Sequence, residues 1–385
     1  MKKLYLTFFA ILIAFNFVLA QQSVYTFTTK ADVPVTSVKD QGGAGTCWSF
    51  ATTSFIEAEL LRLTHKTYDL SELFFVRKMY ELKADRYVRL QGTSNFSQGG
   101  QAHDVINAIR MFGVYNEKDY SGLLPGQERY SHSEMVNLLS GMTSALAKSK
   151  SGSLSPQWKS AIASILDIYI GKEPASSYNI VKSLPINPDD YIELTSYTHH
   201  PFYTKFALEI PDNWSSELYY NVPLNDLMAI IDNALEKGYT VDWDGDVSDK
   251  GFSHKNGVAI IADVKLENKN AIDAEKWKAV PEKERASKMY AFESIVPEKI
   301  ITQEDRQTAF DNFSTTDDHL MHLTGIVTDQ NGTKYYKTKN SWGANSNAMG
   351  GFLNMSESYV RLNTTAILVH KNAIPDAIRK KLNIL

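Results

Sequence analysis

Apolar residues at Phe50, Ala51, Phe55, Ala58 and Leu61 fall near one face of a 3.6-residue period, so Thr46 to about Leu63 reads as a helix. Thr64-His65-Lys66 makes the turn after it. Leu70 to Leu82 is a second helical run with Ser71 placed to cap it, and Gln101 to Phe112 is a third, stopped by Gly113. Between these two lies a loop of Gly, Ser, Asn and Gln from Gly92 to Gly100. Ser131 to Ser149 and Pro156 to Ile170 read as amphipathic helices joined by the polar Lys150-Ser151-Gly152-Ser153, and Leu224 to Lys237 is helical as well. The period then changes. Thr240-Val241-Asp242-Trp243 alternates, while His322 to Thr328, Thr333 to Thr338 and Ala366 to Val369 are rich in β-formers. Asp329-Gln330-Asn331-Gly332 ends in Asn-Gly, a hairpin turn signal. A short extended segment, Val24 to Val38, precedes the first helix. Helices first, a helical block in the middle and antiparallel strands last predict an α+β fold. The pattern divides the chain at 1–20, 21–120 (helical half), 121–238 (inserted helical subdomain) and 239–385 (β half and tail).

The first twenty residues are set apart by composition. Lys2 and Lys3 supply a positive end, Leu4 to Leu19 is apolar apart from Thr7 and Asn16, and Ala20 is small. This pattern predicts a signal peptide cleaved after Ala20 and export to a periplasm or the extracellular space. The apolar run is shorter than the roughly 20 residues of a spanning helix, so no stable membrane insertion is expected after cleavage. The chain as a whole is 43% hydrophobic and 11% aromatic in keeping with a sizeable core, with net charge −4 and both signs dispersed. No basic run favours nucleic acid, and none is expected as a partner.

Against this background one residue stands out. Cys47 is the single cysteine among 385 residues, so it forms no intramolecular disulfide. It follows a glycine-rich turn, Gln41-Gly42-Gly43-Ala44-Gly45-Thr46, and begins the first helix. A thiol at a helix N-terminus meets the positive end of the dipole and free N–H groups, which favour the thiolate. A histidine would take its proton, and the Gln41 amide with the Cys47 N–H would hold an oxyanion. Of nine histidines, His319 enters a strand whose hairpin returns at Asn340-Ser341-Trp342-Gly343. The hairpin sets Asn340 beside His319, where it can orient the ring, with Trp342 shielding the bond. His322 points to the opposite strand face. His319 and His322 lack a third ligand, His199-His200 reads as a solvated loop, and Asp242, Asp244 and Asp246 read as the exposed face of a strand rather than a calcium loop. No metal or cofactor is expected.

Gln41 to Phe50, His319 and Asn340-Ser341-Trp342-Gly343 together resemble the papain-like cysteine peptidases, and most of all their bleomycin hydrolase and aminopeptidase C branch. Leu70-Ser71-Glu72-Leu73-Phe74-Phe75 resembles the branch's second helix. Gly99-Gly100-Gln101 resembles its glycine loop near the substrate, and Trp243 to Val247 with Phe252-Ser253-His254-Lys255 its strand before the histidine half. Cys47 and His319 lie about 270 residues apart, against roughly 130–150 in ordinary papain-type enzymes, and the helical block accounts for the surplus. Ala44 stands where many such enzymes carry a disulfide cysteine.

The resemblance implies a papain-like fold and a thiol peptidase acting on peptides. Cys47, His319, Asn340 and Gln41 would be catalytic, and Gly99, Gly100 and Trp342 would bind substrate. It implies an aminopeptidase, with an endopeptidase or a catalytically silent papain-like binding protein as alternatives, and a ring-like homo-hexamer. In the branch the C-terminus lies in the cleft and limits cleavage to N-terminal residues. The tail here, Lys381-Leu382-Asn383-Ile384-Leu385, does not match that arm.

Overall fold

The computed structural model describes residues 24–149, 152–176, 179–180, 184–268 and 274–384. The expected signal peptide lies outside the described residues, as do Lys150 and Ser151 of the expected linker. Strand β1 (Thr28–Asp32) leads to α1 (Cys47–Thr64), α2 (Glu72–Arg89) and α3 (Ala102–Phe112), followed by α4 (Ser133–Ala147) and α5 (Gln157–Ile170). Then come β2 (Tyr191–Thr195), β3 (Lys205–Ala207), β4 (Leu218–Asn221), α6 (Leu224–Glu236), β5 (Val241–Gly245), β6 (Phe252–Ser253) and β7 (Val258–Ala259). Short helices α7 (Ala274–Lys278), α8 (Glu282–Met289) and α9 (Gln303–Asp311) precede β8 (His319–Thr328), β9 (Lys334–Lys339) and β10 (Phe352–Ser356). The chain closes with α10 (Glu357–Asn363), β11 (Thr364–His370) and α11 (Asp376–Lys381). The class is α+β, as the pattern predicted.

Two parts of that expectation change. The 121–238 segment is not wholly helical: β2, β3 and β4 arise in it and extend the main sheet through the β2–β11 pairing. Its strands are short and lack clear alternation, so the helical signal of α4 and α5 masked them. The sheet, ordered β3-β4-β2-β11-β5-β8-β9-β10-β7-β6, is mostly antiparallel but includes the parallel pairs β10–β7 and β2–β4. The β1 strand pairs with β8, so the chain's start is fastened to the β half before it enters the helical half.

Helix α1 joins the halves. Its residues Cys47 through Leu60 are all buried, because α2 and α3 cover one side and the sheet covers the other. Phe50, Phe55, Ile56 and Leu60 pack with the apolar sides of α2–α5, and Leu320 and Leu368 join the same cluster from the sheet. Each such large apolar side chain contributes about 1.5–3 kcal/mol on full burial. Polar residues on this helix are matched: buried Glu57 accepts from Leu70 N–H at 2.8 Å and Thr36 Oγ1 at 2.6 Å. On the other sheet face, α6 packs Leu227, Ile230, Ile231 and Ala234 against Val241, Trp243, Met321 and Leu323.

The aspartates in and just after β5 overturn the reading of an exposed strand face: Asp242, Asp244 and Asp246 are all buried. Strand β5 lies between β11 and β8, and α1 covers the face that the alternation would otherwise leave to water. Asp242 Oδ2 accepts from Thr52 Oγ1 at 2.5 Å. Asp246 accepts from Ser248 N–H and Thr316 N–H, so it organises the loops at the end of the strand. The tail is docked too. Ile378 and Leu382 are buried in the α6 cluster, with Ile384 packed against it, and Lys381 Nζ meets Tyr203 Oη at 2.9 Å.

Candidate active site

Three segments meet at the start of α1. The first, Lys39–Gln41, runs against Ser341–Gly343: Gln41 N–H donates to Ser341 O at 2.9 Å, Gly343 N–H to Lys39 O at 3.0 Å, and Asp40 bridges Trp342. The turn that follows requires glycine at 42, where φ is +64° and a Cβ would stand 2.9 Å from the Tyr130 backbone. Gly45 N–H and Trp48 Nε1–H both donate to Gln98, at 2.7 and 3.0 Å, and this seats the glycine loop beside Cys47.

The expected hairpin juxtaposition is present. His319 Nε2 lies 2.8 Å from Asn340 Oδ1. That oxygen also accepts from Ser341 N–H at 2.7 Å, so it is the amide oxygen that faces the ring, and His319 carries its proton on Nε2. Nδ1 is thereby left with a lone pair for the thiol proton. The Trp342 ring lies 5.0 Å from that of His319, tilted by 34°, over the His319–Asn340 pair.

Gln41 is held at both ends of its amide. Its Oε1 accepts from Ser341 Oγ at 2.6 Å and its Nε2 donates to Ala44 O at 2.8 Å, leaving one amide hydrogen for an oxyanion. Ser341 thus ties the segment carrying the histidine's partner to the oxyanion donor. Nothing in the sequence beyond its place in the tetrapeptide marks Ser341 for this part.

A second histidine was missed. His254, in the turn between β6 and β7, receives the other end of Asn340 through Nδ2 at 3.4 Å and places Nε2 2.7 Å from Ser346 Oγ. Asn340 is therefore oriented from both sides. His254 stands 86 positions before Asn340, and no local spacing marks it. The remaining candidates sit as follows. His322 is buried on the α1 side with Nδ1 2.9 Å from Ser54 Oγ. His199 and His200 are in a loop but not merely solvated, since both rings meet Glu209, at 3.1 and 2.8 Å. The His199 Nδ1 accepts from Gln307 Nε2, so its Nε2 holds the proton given to Glu209 and offers no lone pair to a metal. Gly99 and Gly100 are explained by packing: an added Cβ would fall 1.7 Å from Asp212 Oδ2 at Gly99 and 2.6 Å from Asp104 Oδ2 at Gly100. A cavity of about 940 Å³ is lined by residues such as Pro297, Ile301, Lys334 and Arg361 and by none of the four catalytic candidates.

The electrostatics differ from the expected thiolate. Burial, together with the charges of Asp317 and Asp212, pushes the Cys47 thiol up to about 12, against the N–H groups of Leu320 and Trp48 that favour its anion. Burial pulls His319 down to about 4. No hydrogen bond joins the two side chains at rest. The resting pair is neutral thiol and neutral imidazole, because either charge alone is poorly solvated here. Proton transfer from Sγ to Nδ1 creates both charges together, and catalytic contacts commonly tighten only with substrate bound.

This makes a test. Burial and the neighbouring Asp212 raise Asp317 to about 7, so it is charged above neutrality and protonated below. Asp317→Asn should speed iodoacetamide labelling of Cys47 by a few-fold above pH 7, because the repelling charge is gone. Below about pH 6 the two proteins should label alike. Equal rates across the whole range would show that Asp317 does not act on the thiol.

Comparison with known proteins agrees with this geometry. The family described as "Papain family cysteine protease" matches residues 24–169, and "Peptidase C1-like family" matches residues 284–384. The first span holds Gln41 and Cys47, the second His319 and Asn340. Aminopeptidase G of Lactobacillus delbrueckii subsp. lactis is 23% identical over 88% of this chain and 82% of its own length. Cysteine proteinase 1, mitochondrial, of Saccharomyces cerevisiae is 22% identical over 94% of this chain and 80% of its own. The solved structure of pepW from Lactobacillus rhamnosis superposes with a TM-score of 0.66 at 17% identity, over 92% of this chain and 84% of that one, which shows a shared fold. The fold, and matches that cover both ends of the chain, place this protein among the papain-like cysteine peptidases, in their aminopeptidase C and bleomycin hydrolase branch.

Proposed function

We propose that this cysteine peptidase is an exported aminopeptidase, releasing N-terminal residues from peptides through a thioester intermediate. The observation that carries the exopeptidase reading is the reach of the likeness to aminopeptidase G, which spans 88% of the chain and so includes the insert between the catalytic halves. His319 Nδ1 takes the Cys47 proton as Sγ attacks the scissile carbonyl carbon. The oxyanion is met by Cys47 N–H and Gln41 Nε2–H. His319 then protonates the departing amine, leaving the acyl group on sulfur. Water, deprotonated by His319, attacks the thioester, and the thiol is restored. Export rests on the charged, apolar and small-residue order of residues 1–20. Among the described residues, no helix is long and apolar enough to cross a membrane.

An endopeptidase is the second reading. It is favoured by the tail, whose described residues dock on the α6 cluster rather than beside Cys47. Timed product analysis of a free-amine peptide and its acetylated twin separates the two. Stepwise N-terminal release from the free peptide, with the acetylated twin uncut, is the expected result. Internal fragments at similar rates from both would replace the first reading by the second. Intact mass of the exported protein should correspond to a chain starting at Gln21, and a retained Met1 would remove the export reading.

A further inference from the structure

Three carboxylates converge beside Cys47. Asp244 on β5 stands directly across from Leu320 of β8, so both side chains leave the same sheet face, toward α1. The Leu320 N–H reaches the Cys47 sulfur. Asp317, two residues before β8, has its Oδ2 2.9 Å from Gln101 Nε2. Asp212 lies against Gly99, and its Oδ1 accepts from Asn95 Nδ2 at 2.9 Å and Ser97 Oγ at 3.1 Å.

Asp244 is the anomaly. It is 4% exposed, and neither of its oxygens is reached by any donor except the neighbouring acid Asp317. Buried carboxylates are normally paired or hydrogen bonded. Its neighbour is another acid, Asp317, and after burial the charges that raise its pKa well above the usual carboxylate range are those of Asp317, Cys47 and Asp212. At rest Asp244 and Asp317 share a proton instead of carrying two buried charges. Lys83 offsets part of the Asp212 charge, but its ammonium is turned to the Ser97 and Gly99 carbonyls.

We infer that Asp244, with Asp317 and Asp212, binds the α-ammonium group of the substrate's N-terminal residue. The inference rests on the aminopeptidase reading and supplies the receptor that reading requires. In an N-terminal residue the α-nitrogen is two covalent bonds from the carbonyl carbon that Sγ attacks, so its binding site must adjoin Cys47. An ammonium group brings one positive charge and three donors to a cluster whose Asp244 has no cation and no donor beyond its acid neighbour. An acetylated N-terminus brings neither. Bound ammonium also removes the negative field that disfavours the Cys47 thiolate, so the nucleophile is released when the right substrate arrives.

The test compares wild type, Asp244→Asn and Asp212→Asn on three reporter amides: leucyl, acetyl-leucyl and acetyl-lysyl. Wild type should favour the leucyl amide. Both variants should lose roughly 10- to 100-fold in kcat/KM on it, mainly through KM, the range for a charge-assisted contact. The acetyl-leucyl rate should not fall, and should rise by up to a few-fold where a charge that repels the thiolate is removed, so the ratio between the two falls. Inhibition by propylammonium should weaken in parallel, which reads the same loss when acetylated substrates turn over too slowly. One iodoacetamide equivalent per chain and an unchanged melting profile establish that the variants are folded. If wild type discriminates and the variants keep the same ratio, the cluster is not the receptor while the aminopeptidase reading stands. If wild type cuts leucyl and acetyl-leucyl amides equally, that reading fails and takes the inference with it. If the variants lose only a preference for acetyl-lysyl, the cluster holds a side-chain ammonium instead, and the inference is overturned.

Discussion

Cys47→Ala should lose hydrolysis and thiol labelling together. Turnover should fall by roughly 10⁵- to 10⁶-fold, the scale seen when a covalent nucleophile is removed and only binding and oxyanion contacts remain. Because Cys47 is the single cysteine, labelling stoichiometry should drop from one to zero, with no second thiol to confuse it. The fold should hold. The side chain loses one sulfur at the first turn of a helix whose burial is carried by Phe50, Phe55, Ile56 and Leu60. Steady-state kinetics, mass spectrometry after iodoacetamide and a thermal melt on one preparation decide the matter. Measurable peptide turnover by a folded, unlabelled variant would sink the assignment of nucleophile.

Gln41→Ala should be the next most damaging change. One amide hydrogen is committed to Ala44 O, and Ser341 Oγ fixes which way the amide faces. The free hydrogen is therefore preorganised toward charge that develops only in the transition state. Loss of one such donor costs about 10²- to 10³-fold in kcat with little change in KM. The Cys47 labelling rate should stay within a few-fold of wild type, since the alkylation forms no oxyanion. A fall of less than about threefold in kcat would assign the oxyanion to other donors.

The residues of the site were legible where they carry local signals. A lone cysteine at a helix start, a glutamine six positions before it and a hairpin that returns Asn340 to His319 can all be read along the chain. What was not legible depends on layers. Alternation in β5 marks two faces but not what lies on each, so Asp242, Asp244 and Asp246 read as exposed until α1 is seen covering them. His254 reaches Asn340 through a turn 86 positions away. Strands β2, β3 and β4 owe their existence to pairing with β11 and with each other, not to their own pattern. The thiolate expected from the helix end was outweighed by burial of the thiol and by Asp317 and Asp212, which no sequence neighbour announces.

The pairing of Lys39–Gln41 with Ser341–Gly343 has a further effect on how this enzyme fails. The oxyanion donor is covalently continuous with the helical half, and the orienting asparagine with the β half, yet each is positioned by the same short backbone ladder and by Ser341. A small separation of the two halves breaks that ladder while leaving both hydrophobic clusters intact. Mild heat or low denaturant should therefore silence the enzyme before its spectroscopic unfolding, and do so reversibly, because no disulfide must reform when the halves close again.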